Sequence, residues 1–101
     1  MFRLYFFHQP GCGYCAMARP DAEQFQLRHP EGIIIYVHRG LKPEVAGFKP
    51  SGTPAYLLLL NEGQTAFTHV GALTLKELEA ALKEARREEA GEPETKKRKK
   101  R

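Results

Sequence analysis

Residues 2–20 read FRLYFFHQPGCGYCAMARP. Phe2 to His8 is an apolar and aromatic run broken only by Arg3, which fits a strand covered on both faces better than a one-sided strand. Cys12-Gly13-Tyr14-Cys15 follows it and opens a helix-compatible segment, Cys15 to Arg28. Residues three apart on a helix share a face, with Cβ atoms about 5–6 Å apart, close enough for a disulfide after small adjustment. At the first turn, Cys12 lies beside free N–H donors and the positive end of the helix dipole, and both favour a thiolate. Cys15, one turn in, is expected to be more buried and to stay protonated until needed. The asymmetry assigns the roles: Cys12 attacks a substrate disulfide and Cys15 resolves the mixed disulfide.

The same two cysteines would supply half of a zinc site. Zinc needs four ligands, and the remaining two would have to come from His8, His29, His38 and His69. These show no paired H-x₃₋₅-H spacing, so redox chemistry is the stronger reading.

Outward from this stretch, Ile33 to Val37 (IIIYV) and Ala55 to Leu60 (AYLLLL) read as further buried strands. Asn61-Glu62-Gly63-Gln64 supplies turn chemistry, and Thr65 to Val70 (TAFTHV) alternates, as expected for a hairpin partner nearer the sheet edge. Cys15 to Arg28 is long enough for one crossover helix between parallel strands, and that crossover should be right-handed. Pro20 removes a hydrogen bond within it, so a kink is expected there and not an end. Thr74 to Ala90 is the clearest helix: Thr74 and Glu77 form a capping box, Leu75, Leu78, Leu82 and Ala85 make an apolar stripe, and Gly91 is the stop. A short helical turn is expected over Pro43 to Phe48, with Pro43 near its first position. The expected fold is α/β, a four-stranded mixed sheet in the order β-α-β-short α-β-β-α with helices on both faces. It occupies residues 1–90 and is followed by a disordered tail, 91–101.

With 101 residues and 42% hydrophobic content, the chain is sized for one small soluble domain. Its net charge of +4 is unevenly placed: residues 1–90 hold ten Lys/Arg and ten Asp/Glu, and residues 91–101 hold six Lys/Arg and two Glu. The block Lys96 to Arg101 contains no aromatic residue, so any nucleic-acid contact there would be to phosphates; a solvated end is the favoured reading. Two cysteines cannot build a multi-bridge secreted scaffold. No apolar run approaches the roughly 18 residues a membrane span needs. No signal peptide is read at the N-terminus, so a cytoplasmic, monomeric protein is expected.

A second signal is Ser51-Gly52-Thr53-Pro54, directly before the third strand, where a proline belongs because it cannot donate to a ladder. Together the motifs resemble the thioredoxin fold over nearly all of residues 2–90. Cys12 to Pro20 resembles the active-site helix, with its proline five residues after the second cysteine. Pro43 to Phe48 followed by Gly52-Thr53-Pro54 resembles the approach to a cis-proline, and Val70 to Leu73 with Leu75 to Leu82 resembles the last strand and helix. The resemblance implies that Pro54 is cis and packs near the sulfurs, excluding metal. It implies that the Thr53 backbone pairs with an extended substrate segment, and that Gly11, Gly13 and Tyr14 shape the substrate rim. It also implies a thiol–disulfide oxidoreductase acting on protein disulfides or dithiols. The redox centre would be the cysteine pair itself, with no metal or organic cofactor and with a separate reductase or oxidant as partner.

The chain departs from that pattern in several places. Gly11 stands where thioredoxins usually carry Trp, and Phe6 where they bury an Asp that assists the resolving thiol. His8 is then a candidate for proton transfer. The first strand and helix of full thioredoxin are missing, which brings the outline nearer to glutaredoxin. CGYC with Thr before the proline is similar to the catalytic domains of bacterial periplasmic disulfide isomerases, and hints at a less reducing pair than in thioredoxin. Two alternatives stand beside this reading. One is a redox-inactive module working through the basic tail; the other is a glutathione-dependent protein using Arg39 and Lys42.

Overall fold

The computed structural model describes residues 1–61 and 63–89. Its elements are β1 (Arg3–His8), α1 (Gly13–Arg28), β2 (Ile33–His38), β3 (Ala55–Leu59), β4 (Thr65–Val70) and α2 (Leu75–Glu89). Glu62, Ala90, the expected Gly91 stop and the basic tail lie outside the described residues.

The apolar runs form the centre of a four-stranded sheet, ordered β2-β1-β3-β4. β1 pairs in parallel with β2 and antiparallel with β3, so Phe6 lies between Tyr36 and Tyr56. β3 is buried at every position, and β4 pairs antiparallel with it at the outer edge. The sheet is therefore mixed, with the alternating strand where one face meets water.

Alternation along β1 and β3 sends Leu4, Phe6, Tyr56 and Leu58 to one face, where they pack against Ala18, Ala22 and Phe25 of α1 and Leu78, Leu82 and Ala85 of α2. Each fully buried Leu or Phe contributes about 1.5–3 kcal/mol of apolar transfer. Phe6 meets Tyr36 and Tyr56 edge-on at 5.6 and 5.3 Å between ring centroids. The buried Tyr56 hydroxyl accepts the Leu73 N–H at 3.1 Å, which settles its polar end. Pro20 sits inside α1, which continues to Arg28. The capping box forms as expected: the Thr74 N–H donates to Glu77 Oε1 at 2.9 Å, and the Glu77 N–H donates to Thr74 Oγ1 at 3.2 Å. The Leu75 N–H donates to Asp21 Oδ2 at 2.9 Å, fastening the start of α2 to α1.

Two expectations need correction. Pro43 to Phe48 is not helical. Val45 and Phe48 exchange backbone hydrogen bonds of 3.0 and 2.8 Å around Ala46 and Gly47, whose φ angles are +50° and +83°. Positive φ at both central residues is the signature of a type I′ turn, and Gly47 adopts it without steric cost. Folding back in this way buries Val45 and sets Phe48 edge-on to Phe7, 5.8 Å between centroids. The helices also do not lie on both faces. Both pack on the Phe6 face, while Phe7, Val37, Ala55, Leu57 and Leu59 on the opposite face cluster with Val45 and Phe48 of the turn. With no helical segment between β2 and β3, nothing helical is left to cover that side among the described residues.

At the far end of α1 a belt of charge joins the two helices. Arg28 Nε and His29 Nε2 lie 3.0 and 3.1 Å from Glu79 Oε2. Arg86 Nη2 and His29 Nδ1 lie 2.8 and 3.4 Å from Glu31 Oε2.

Candidate active site

The end of β1 delivers the chain to Gly11, whose φ of +77° is a conformation that L side chains rarely adopt. Cys12 then serves as the N-cap of α1, with extended φ and ψ of −87° and 103°. The helix begins at Gly13, earlier than the segment expected from Cys15. Cys12 Sγ accepts the Cys15 N–H at 3.1 Å, in the place a capping oxygen usually takes. Cys12 and Cys15 are joined in a disulfide, with Cα atoms 5.2 Å apart. Cys15 is buried at 6% exposure, whereas Cys12 is only half-buried. Once the bond is reduced, the amide at the helix start favours negative charge on the Cys12 sulfur.

Both sulfurs border an open cleft of about 690 Å³ that also involves Phe6, His8, Gln9, Gly11, Gly13, Arg19 and Glu23. Phe6 is fully buried, so the position where the resemblance places an acid is apolar here. His8, at the end of β1, does line the cleft with the sulfurs. Burial, then Arg19, then His38 push its pKa below the usual histidine value, keeping it largely neutral at pH 7. The His8 and His38 ring centroids are 5.9 Å apart. Arg19 lies 4.3 Å above the Tyr36 ring and 3.5 Å from Glu23. Among the described residues, no three His, Cys, Asp or Glu side chains are grouped as metal ligands.

The Thr53–Pro54 peptide bond is cis. Pro54 is buried, and its carbonyl accepts the Gly71 N–H at 2.8 Å. Thr53 is tied to the cysteine loop through Gln9, a residue the sequence did not single out. The Gln9 carbonyl accepts the Cys12 N–H at 3.3 Å, and Gln9 Oε1 accepts both Thr53 Oγ1–H and Arg39 Nη1–H at 3.3 Å. Arg39 Nε donates to the Pro50 carbonyl at 2.9 Å. Gln9 lies 44 residues from Thr53 and 30 from Arg39. Only its place between a strand end and the first cysteine could have marked it.

Tyr14 and Met17 stand out to solvent at 68% and 72% exposure, beside the cysteines in sequence but outside the cleft. Gly13 has open space where a side chain would begin. Arg39 and Lys42 do not converge. Arg39 is engaged with Pro50 and Gln9, whereas Lys42 borders a separate groove with Tyr5, Ile35, Leu41 and Val45 on the face without helices.

No family model and no curated sequence matches the chain. Solved structures do resemble it. A malarial protein superposes with a TM-score of 0.75 at 17% identity, covering 84% of this chain and 97% of that one. Thioredoxin-2 of the malaria parasite, described as a component of protein secretion machinery, gives 0.74 at 16%, covering 83% and 82%. Mitochondrial thioredoxin 3 of Saccharomyces cerevisiae, in its oxidised form, gives 0.71 at 21%, covering 82% and 77%. The chain thus has the thioredoxin fold, with a CxxC disulfide at the start of α1.

Proposed function

We propose that this protein is a thiol–disulfide oxidoreductase that exchanges disulfides with protein substrates through Cys12 and Cys15. The observation that carries the reading is the asymmetry of the bonded pair. Cys12 is half-buried and its sulfur accepts an N–H at a helix start; Cys15, bonded to it, is only 6% exposed. In the reducing direction the Cys12 thiolate attacks one sulfur of a client disulfide and expels the other as a thiolate. Cys15, losing its proton, then attacks Cys12 and releases the second client sulfur. Two electrons pass to the client and the Cys12–Cys15 bond closes; oxidation of a client dithiol is the reverse.

In this reading the dithiol is the whole redox centre, without metal or organic cofactor. Gly11, Gly13 and Tyr14 border the client, and the Thr53 main chain pairs with it as an added strand, next to the buried Pro54. The test is alkylation of the reduced protein, followed by mass spectrometry. Iodoacetamide is expected to label Cys12 at least about tenfold faster than Cys15 at pH 6–7, because only the thiolate reacts. Equal and slow labelling of both would remove the basis of the proposal.

A further inference from the structure

We infer that Gln9 and Arg39 are positioning residues that hold the Thr53 main chain in register with the cysteine pair, and so govern use of polypeptide disulfides in preference to small ones. The inference rests on the exchange reading above and adds to it the device that presents the client.

Three segments far apart in sequence meet on one amide oxygen. Gln9 Oε1 accepts from Thr53 Oγ1 and from Arg39 Nη1, which occupies both of its lone pairs. The main chain of Gln9 meanwhile holds the Cys12 N–H. Arg39 extends the connection: Nε donates to the Pro50 carbonyl at 2.9 Å, and its own N–H donates to the His8 carbonyl at 2.9 Å. The cysteine loop, the segment after β2 and the Pro50–Thr53 approach are therefore linked through Gln9 and Arg39. The Thr53 hydroxyl is turned inward to Gln9. Among the described residues the Thr53 N–H and carbonyl have no hydrogen-bond partner. A half-buried main chain with both groups unpaired is what an added strand requires.

The bonds to Oε1 are long, at 3.3 Å, so losing them should leave the fold intact. The spacing between Thr53 and the sulfurs would then relax. A client held on Thr53 depends on that spacing, whereas a small disulfide meeting Cys12 directly does not.

The test compares Gln9→Leu and Arg39→Met in the full chain, with dithiothreitol as electron donor. Each variant is assayed on insulin and on bis(2-hydroxyethyl) disulfide. The ratio of the two kcat/KM values, insulin over small disulfide, is expected to fall about tenfold in both variants, mainly through KM. The double variant should fall no further, because both changes break one network. Equal loss on both disulfides, or an unchanged ratio, overturns the inference while leaving the exchange reading standing. Wild-type protein inert toward both disulfides overturns the exchange reading and this inference with it. Thermal melting of both variants accompanies the assays, so a variant that fails to fold is replaced by the other.

Discussion

At the scale of single residues, chemistry and stability are handled by different side chains. Glu31 shows this best. The Arg86 guanidinium, a backbone N–H and His29 together pull its carboxyl down to about 2, with desolvation opposing them. A depressed folded value means that the ionised form stabilises the protein above the ordinary carboxylate range, near 4.5, and that the contribution disappears as pH falls toward 2. The expected result is that Glu31→Gln melts below the wild type at pH 7 and that the two melting curves merge near pH 2. A gap constant across that range would refute the assignment. Local rules made several residues legible in the sequence. Thr74 and Glu77 lie three apart, and a capping box needs nothing beyond that spacing. The cysteine pair was legible for the same reason. Gln9 was not, because its partners are distant in sequence and only the folded chain brings them to one oxygen.

At the scale of elements, β2 is an exposed parallel edge and needs protection. Gln26 of α1 supplies it: Nε2 donates to the Gly32 carbonyl at 2.7 Å, and Oε1 accepts the Ile34 N–H at 2.6 Å. This side-chain amide pairs with the outer rim of the strand as a neighbouring strand would. Gln26→Leu leaves that amide and carbonyl unpaired and should cost about 1–3 kcal/mol, read as a lower urea midpoint. An unchanged midpoint would mean that water replaces the amide at no cost. The strands themselves were readable, because continuous apolar runs leave few other solutions. The segment before Pro54 is ambiguous in sequence, because Pro43 at a first helical position and Val45 to Phe48 suit a helical turn or a reversal equally well. Burial of Val45 and Phe48 against the sheet decides between them, and that face is not visible in local sequence.

At the scale of the whole molecule, the sheet is dressed unequally, with two helices on one side and a tight turn on the other. On the turn side Val45 and Phe48 pack against the sheet, so Phe48→Ala, which strips the edge-on partner of Phe7, should cost about 2–3 kcal/mol. It should also raise binding of a hydrophobic dye without abolishing exchange with small disulfides; loss of less than about 0.5 kcal/mol would show that the turn is not a cover. The layering was the least legible level, since the two helices were expected on opposite sides and only the path between β2 and β3 determines otherwise. The long helix α1 has a further consequence. Its first turn carries the sulfur pair, with Cys12 as the N-cap and Cys15 within the helix, and its last residue, Arg28, enters the charged belt with Glu79, roughly 24 Å away at 1.5 Å per residue. Changes that far apart add independently. Substitutions in the charged belt should therefore shift stability while leaving the reactivity at the opposite pole unaltered.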